Sequence, residues 1–168
     1  IASIYSGTSV REYAALFDTI YISTYKYLGA GAGALLCGSN ETIEKILPLV
    51  KALGGVTHQS WPDAAIAYHF LVEFEQRLMK AKQQGEELLF QLNQCEQFDV
   101  VSINNGCHLF KLFVNTQCLK SFKRALETYH HIFLPDPVND HFPIKINETL
   151  LCRTNDEILT AFIQTSIN

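Results

Sequence analysis

Three glycines in five positions, Gly29, Gly31 and Gly33, interrupt the apolar stretch "DTIYISTYKYLGAGAGALLCG" from Asp18 to Gly38. A helix or strand interior does not carry such spacing well, since each glycine costs about 0.5–1 kcal/mol against alanine there. The tract is therefore a loop, and its flanks are separate elements. Asp18 to Thr24 is rich in β-branched and aromatic residues on both faces and predicts a buried strand. "ALLCG", Ala34 to Gly38, predicts a second short buried strand. One cation, Lys26, stands between the first strand and the glycines, with Ser23 and Thr24 just before it.

Lys26 has two readings on residue types alone. It is a solvent-facing turn residue, or it is an amine nucleophile held at a strand end. Schiff-base amines need a lowered pKa, which partly apolar surroundings supply. Two other motif readings fail on context. The glycines follow the lysine and lack a Gly-Lys-Ser/Thr end, so the tract is not a phosphate loop. Ser23 and Lys26 have Ser-x-x-Lys spacing, but the serine falls in a strand rather than at a helix start.

Around this stretch the chain alternates short elements. "IASIYSG" predicts a strand ending at Gly7, and Ser9 with Glu12 predicts a capping box opening "VREYAALF". Asn40 is the expected cap of "ETIEKILPLVKAL", in which Pro48 should kink or shorten the helix and Gly54 and Gly55 should end it. Ser60 with Asp63 predicts a second capping box. It opens a helical pattern of about thirty residues that Gly85 interrupts, either one long helix or two in succession. Polarity rises sharply at Lys80, which places the boundary between residues 1–79 and 80–168. Beyond it, "FDVVSI" and "CHLFKLFV" flank Asn105-Gly106, a strong hairpin signal. A helix capped by Thr116 follows, with Leu119, Phe122, Leu126 and Tyr129 on one face. A proline-rich loop, the strand "IKINETLLC" and a last helix capped by Asn155 complete the chain. The order β-β-α-β-α predicts a small α+β domain.

Composition narrows the class. Thirteen basic against seventeen acidic residues give a net charge of −4, without a basic patch for nucleic acid. No apolar run approaches the ~18 residues of a membrane span, and no signal peptide is visible. The five cysteines have no CxxC pair, so they read as reduced, mostly buried thiols of a cytoplasmic protein. His130 and His131 lack a third ligand at helical spacing, so no metal is expected. His108 and Trp61 are expected to be structural.

"FDTIYISTYKYLGAGAGALLCGS" resembles the lysine segment of threonine aldolases and aromatic amino acid β-eliminating lyases. Asp18, Ser23, Lys26, Gly29, Ala30 and Gly33 match that pattern, while Gly31 stands where a proline is usual. "LGGVTHQSWPDAAIA" resembles the segment before the family's connecting helix, with Gly54, Gly55 and Gln59 matching. The resemblance implies an α/β fold: the C-terminal part of a pyridoxal-phosphate transferase-like large domain, followed by the small α+β domain. It implies that Lys26 is the residue joined to pyridoxal 5'-phosphate. Ser23, Thr24, His58 and Gln59 are then cofactor-binding candidates. The implied reaction cleaves a β-hydroxy amino acid to glycine and an aldehyde, and β-elimination on an aromatic amino acid is the alternative. An arginine of the small domain is expected to grip the substrate carboxylate. The alignment puts Asn147 at that place, and Arg153 is the nearby arginine. The resemblance also implies a homo-oligomer, and a longer chain whose N-terminal half carries the rest of the cofactor site. A non-catalytic interaction module is the rival outside enzymes.

Overall fold

The computed structural model describes residues 2–56, 59–103 and 108–167, with the side chains of residues 2 and 3 left aside. The chain divides into two compact units, residues 7–76 and residues 1–6 with 77–168.

In the first unit, helix α2 (Val10–Ala14) is opened by the expected capping box: Ser9 accepts from the Glu12 N–H at 3.2 Å, and Glu12 accepts from the Ser9 N–H at 3.1 Å. Strands β1 (Thr19–Ser23) and β2 (Ala34–Gly38) pair antiparallel, Thr19 opposite Gly38 and Ser23 opposite Ala34. They form a two-stranded sheet by themselves. The expected burial is accordingly not found: Tyr21 is 64% exposed and Leu35 48%. Among the described residues no third strand pairs with them, and most of their side chains stay exposed. Between the strands lies a single helical turn, α3 (Thr24–Tyr27).

Helix α4 (Asn40–Ala52) is capped by Ser39, not Asn40; the Ser39 hydroxyl accepts from the Thr42 N–H at 3.2 Å. Pro48 lies inside it without ending it. Helix α5 (Trp61–Val72) is followed by α6 (Phe74–Asn93), so the long helical pattern breaks at Glu73 rather than at Gly85. Buried Leu28, Ala30 and Ala67, with Phe74 packed against them, form this unit's small core.

In the second unit, α1 (Ala2–Ser6) is helical where a strand was expected. The sheet runs β3-β4-β5: β3 (Phe98–Ser102), β4 (Leu109–Val114) and β5 (His141–Lys145), all antiparallel. The β3–β4 pairing is the expected hairpin, although Asn105-Gly106 lies outside the described residues. Alternation sends Phe98, Leu112, Val114 and Phe142 inward, with Leu112 opposite Phe142 in register. The same core takes in Leu88, Leu89 and Leu92 of α6, Phe122 of α7 (Leu119–Ala125) and Ile158, Ala161 and Phe162 of α8 (Asn155–Ile167). Each fully buried large side chain contributes about 1.5–3 kcal/mol.

The strand expected over "IKINETLLC" is displaced. Pairing begins at His141, and Pro143 is tolerated because β5 is an edge strand. Residues Glu148–Cys152 form a 3-10 turn instead, because the Asn147 side chain accepts from the Thr149 N–H at 2.8 Å and turns the chain out of the ladder. Helix α7 begins after Cys118 rather than at a Thr116 cap, and a π-helical turn (Leu126–His130) leaves Tyr129 77% exposed. Thr154, not Asn155, caps α8; its hydroxyl accepts from the Glu157 N–H at 3.3 Å. From Phe98 onward the element order β-β-α-β-α matches the expectation.

Candidate functional site

Strand β1 ends at Ser23, and the chain then makes one helical turn that carries Lys26. The turn is fastened to the glycine loop through Thr24. Its N–H donates to the Gly33 carbonyl at 3.1 Å, its hydroxyl donates to the Ala32 carbonyl at 3.0 Å, and its carbonyl receives the Ala30 N–H at 3.4 Å. Thr24 is accordingly buried although polar. The glycines do different work. Gly29 has φ +64°, and a Cβ there would lie 2.8 Å from the Phe70 ring. Gly33 has φ +109°, and a Cβ there would lie 3.0 Å from the Thr24 hydroxyl. Both positions require glycine, and the result is a close-packed loop whose flanks, Leu28 and Ala30, reach the core.

Asp63 is the residue the sequence reading assigned differently. It was expected to complete a capping box with Ser60, but Ser60 makes no side-chain cap bond. Instead the Asp63 carboxylate accepts the N–H groups of Gly31 and Ala32, at 2.9 and 3.3 Å. Gly31 stands where the resembled pattern has proline, and proline has no N–H to give. The unusual glycine thus provides a donor, and an acid thirty-two positions on accepts from it.

Lys26 itself is exposed, not set in apolar surroundings. Its amine lies 5.8 Å from the centre of the Tyr25 ring, and it makes no ion pair with a carboxylate among the described residues. Ser23, half-buried, makes no cap bond with its hydroxyl, which leaves that group uncommitted beside the turn. Tyr27 packs edge-on against Phe74, with ring centres 6.1 Å apart, while Tyr25 is exposed. Gln59 has a left-handed backbone, φ +61°, and His58 lies outside the described residues. Trp61, expected as a packing anchor, is 73% exposed.

Arg153 belongs to the other unit. It closes the 3-10 turn, and its carbonyl accepts from the Gln84 side chain at 2.6 Å, as does that of Leu150 at 3.0 Å. Asn155 returns a bond to the Gln84 carbonyl at 3.1 Å. Glu148, at the start of the turn, is ion-paired with Arg77 at 3.0 Å. Glu157 accepts the Thr154 N–H and hydroxyl at 2.8 and 2.9 Å. These bonds hold its carboxyl below the usual range, with Arg153 adding to the effect. The Arg153 side chain, half-buried, lines a cavity within this unit. His108 is half-buried near Tyr5, and burial pushes its pKa down.

Among the described residues, no group of three His, Cys, Asp or Glu side chains could hold a metal. The described cysteines are free thiols. Cys37, Cys118 and Cys152 are exposed rather than core filler, because β2 and the two turn regions lie at the surface.

The arrangement, a lysine turn clasped by a glycine loop followed by a small domain with a three-stranded antiparallel sheet, is the C-terminal part of an α/β fold of the pyridoxal-phosphate transferase type. Two crystal structures share it. One is a Listeria monocytogenes protein provisionally assigned as an L-allo-threonine aldolase (TM-score 0.76, 15% identity, 98% of this chain and 48% of that chain). The other is an Exiguobacterium protein provisionally assigned as an aromatic amino acid beta-eliminating lyase/threonine aldolase (TM-score 0.74, 19% identity, 98% and 49%). The profile of the beta-eliminating lyase family matches residues 2–110, and the chain belongs to that family. Low-specificity L-threonine aldolases are similar to it as well. The Candida albicans protein is 35% identical over 68 residues (40% of this chain, 18% of that one). The Eremothecium gossypii protein is 41% identical over 59 residues (35% and 15%). The chain spans about half the length of the solved relatives, and the matched segments are a smaller share of the curated ones.

Proposed function

We propose that this chain forms part of a lyase that cleaves a β-hydroxy amino acid to glycine and an aldehyde, using pyridoxal 5'-phosphate held by Lys26. The observation that carries the reading is the match of residues 2–110 to the beta-eliminating lyase family, with Lys26 on a turn fastened by Thr24, Gly33 and Asp63 and without a carboxylate partner among the described residues. These residues fit the carbonyl end of the cofactor. The amine is open to a covalent partner, and the adjoining Ser23 hydroxyl is free to hydrogen-bond. When bound, the cofactor supplies an electron sink for the pair released at Cα.

The protein's part is positioning. Thr24 and Asp63 hold the loop so that the lysine turn does not drift, and a misplacement of ~1 Å can cost about 10²-fold in rate. Lys26 would hold the cofactor, and its amine is a group that could carry a proton there. Thr24 would meet the cofactor only as an acceptor, since its hydroxyl proton is given to the Ala32 carbonyl. Gln59 and His58 are candidates for the rim of the same site. Arg153 is the candidate for the substrate carboxylate, because a planar guanidinium binds it through two parallel bonds.

A homo-oligomer and a longer chain belong to the same proposal; the exposed apolar residues of β1 and β2, Tyr21, Ile22, Leu35 and Leu36, are compatible with either as their cover. Among the described residues no helix is long and apolar enough to cross a membrane. A cytoplasmic location belongs to the same proposal and is supported by the free thiols.

The test is borohydride reduction of the cofactor-loaded full-length protein, followed by peptide mapping. A pyridoxyl group on Lys26, absent from Lys26→Ala, is expected, together with glycine release from β-hydroxy amino acids. A pyridoxyl group on another lysine, or none, refutes the assignment.

A further inference from the structure

The lysine turn is held from its inner side at two points. The first and last residues of α3, Thr24 and Tyr27, share a face, because residues three apart are neighbours on a helix. Thr24 is buried and Tyr27 half-buried, whereas Tyr25 and Lys26 between them are exposed. Thr24 is fastened to the glycine loop by its three hydrogen bonds. Tyr27 is met by the Phe74 ring, with centres 6.1 Å apart and planes at 62°, a geometry that aromatic pairs prefer. Phe74 belongs to a longer register between the loop and the helical segment from Trp61. Leu28 and Ala30 cluster with Ala67, and Phe74 packs against that cluster. The Phe70 ring fills the space beside Gly29, and Asp63 accepts the N–H groups of Gly31 and Ala32. As the chain advances from Tyr27 to Ala32, its partners step back from Phe74 through Phe70 and Ala67 to Asp63. All of these residues belong to the first unit.

A single turn fixed at one residue can swivel about it, and a second contact three residues on removes that freedom. We propose that Phe74 is a positioning residue for Lys26: its ring, set against Tyr27, fixes the rotation of the turn about Thr24 and so the direction in which the lysine side chain leaves it. Lys26 directly precedes Tyr27, so a swivel that shifts the Tyr27 ring shifts the amine as well. A displacement of ~1 Å at a reacting group is enough to cost about 10²-fold in rate. An aliphatic side chain at position 74 would fill the space without the edge-on geometry that sets the orientation of the Tyr27 ring. The inference rests on the reading of Lys26 as the residue that holds the cofactor, and it adds what aims that residue.

The test compares the full-length protein with Phe74→Ala, Phe74→Tyr and Ala67→Gly, the last of which weakens the same small core and keeps the ring. Without cofactor, hydrogen exchange at Thr24 to Tyr27, measured against the rest of residues 7–76, should be about two- to tenfold faster in Phe74→Ala, the scale of one lost aromatic pair. With pyridoxal 5'-phosphate bound, the visible circular dichroism per bound cofactor, which reports the orientation the protein imposes on it, should fall in Phe74→Ala. In the same variant kcat should fall about ten- to a hundredfold while KM changes less than about twofold. Phe74→Tyr, which keeps the ring, should match the wild type in all three. Ala67→Gly should lower the melting temperature and keep the relative exchange, the dichroism and kcat. If Phe74→Ala fails to fold, Phe74→Leu takes its place with the same expectations. Wild-type exchange and dichroism without the Phe74 ring, or equal changes in Ala67→Gly, overturn the inference. The exchange measurement needs no cofactor. It therefore decides whether Phe74 fixes the turn even where borohydride reduction places the pyridoxyl group on another lysine, the outcome that refutes the Lys26 assignment itself.

Discussion

Replacing Gly33 by alanine tests whether the loop behind Lys26 is held by its backbone geometry. At φ +109° a Cβ is strained, at about 1–3 kcal/mol. The new methyl also lies 3.0 Å from the Thr24 hydroxyl. That hydroxyl is buried and bonded to Ala32 at 3.0 Å, so it can move only by giving up a bond worth about 1 kcal/mol. Together these give about 2–4 kcal/mol for Gly33→Ala if the loop keeps its form. Gly54→Ala is the control, since Gly54 also has positive φ (+74°) but nothing within 4 Å of a Cβ. It should cost about 1–2 kcal/mol, the strain of the left-handed backbone alone. Urea unfolding is the assay, followed by the emission of Trp61, the single tryptophan, which lies in the same unit two residues before Asp63. The expected result is a lower midpoint for Gly33→Ala than for Gly54→Ala, with weaker labelling of Lys26 by the cofactor. A Gly33→Ala protein as stable as Gly54→Ala would refute the packing of Gly33 against Thr24.

Three further outcomes are expected. Asp63→Ala leaves the Gly31 and Ala32 N–H groups without their acceptor; it should lower stability by about 1–2 kcal/mol by urea unfolding and slow cofactor attachment, whereas a change confined to α5 helicity would indicate a capping role only. Gly85→Ala gains about 1 kcal/mol of helix propensity. Its Cβ, however, would lie 2.7 Å from Ile146, so the variant should be neutral to destabilised by about 2 kcal/mol, and Ile146→Ala should relieve the clash in a double-mutant cycle. On acidification, groups whose pKa is lowered by folding stabilise above their unfolded values and lose that contribution as pH falls through the folded ones. His108, lowered by burial from an ordinary 6.5, should therefore give a first decline in melting temperature below about pH 6.5, absent from His108→Gln. Glu157, lowered from 4.5 by its bonds to Thr154, should contribute to a second decline below about pH 4.5.

Much of the small domain was legible because its rules are local or periodic. The alternation of Phe110, Leu112 and Val114 and the spacing of Leu88, Leu89 and Leu92 name their own buried faces, so the β3–β4 hairpin and the α6 stripe follow from sequence. The Ser9–Glu12 box is equally local, because its partners are three residues apart. Likewise the lysine segment carries its family resemblance in consecutive letters.

What tertiary structure alone decided concerns pairs far apart in the chain. Asp63 had the right spacing for a cap, yet it serves Gly31, because folding places its carboxylate before two N–H groups with no ladder partner. Gly85 reads as a helix break, yet it lies inside α6 because Ile146 occupies the space a side chain would need. Apolar letters predicted burial for β1 and β2, but burial depends on what lies across a strand, and among the described residues each pairs with no strand but the other and stays largely exposed. The sequence by itself determined where the lysine turn, the glycine loop and the helical and sheet faces are. Only the fold decided which distant groups satisfy them, because a hydrogen-bond donor or a buried face has no fixed partner until the chain closes on itself.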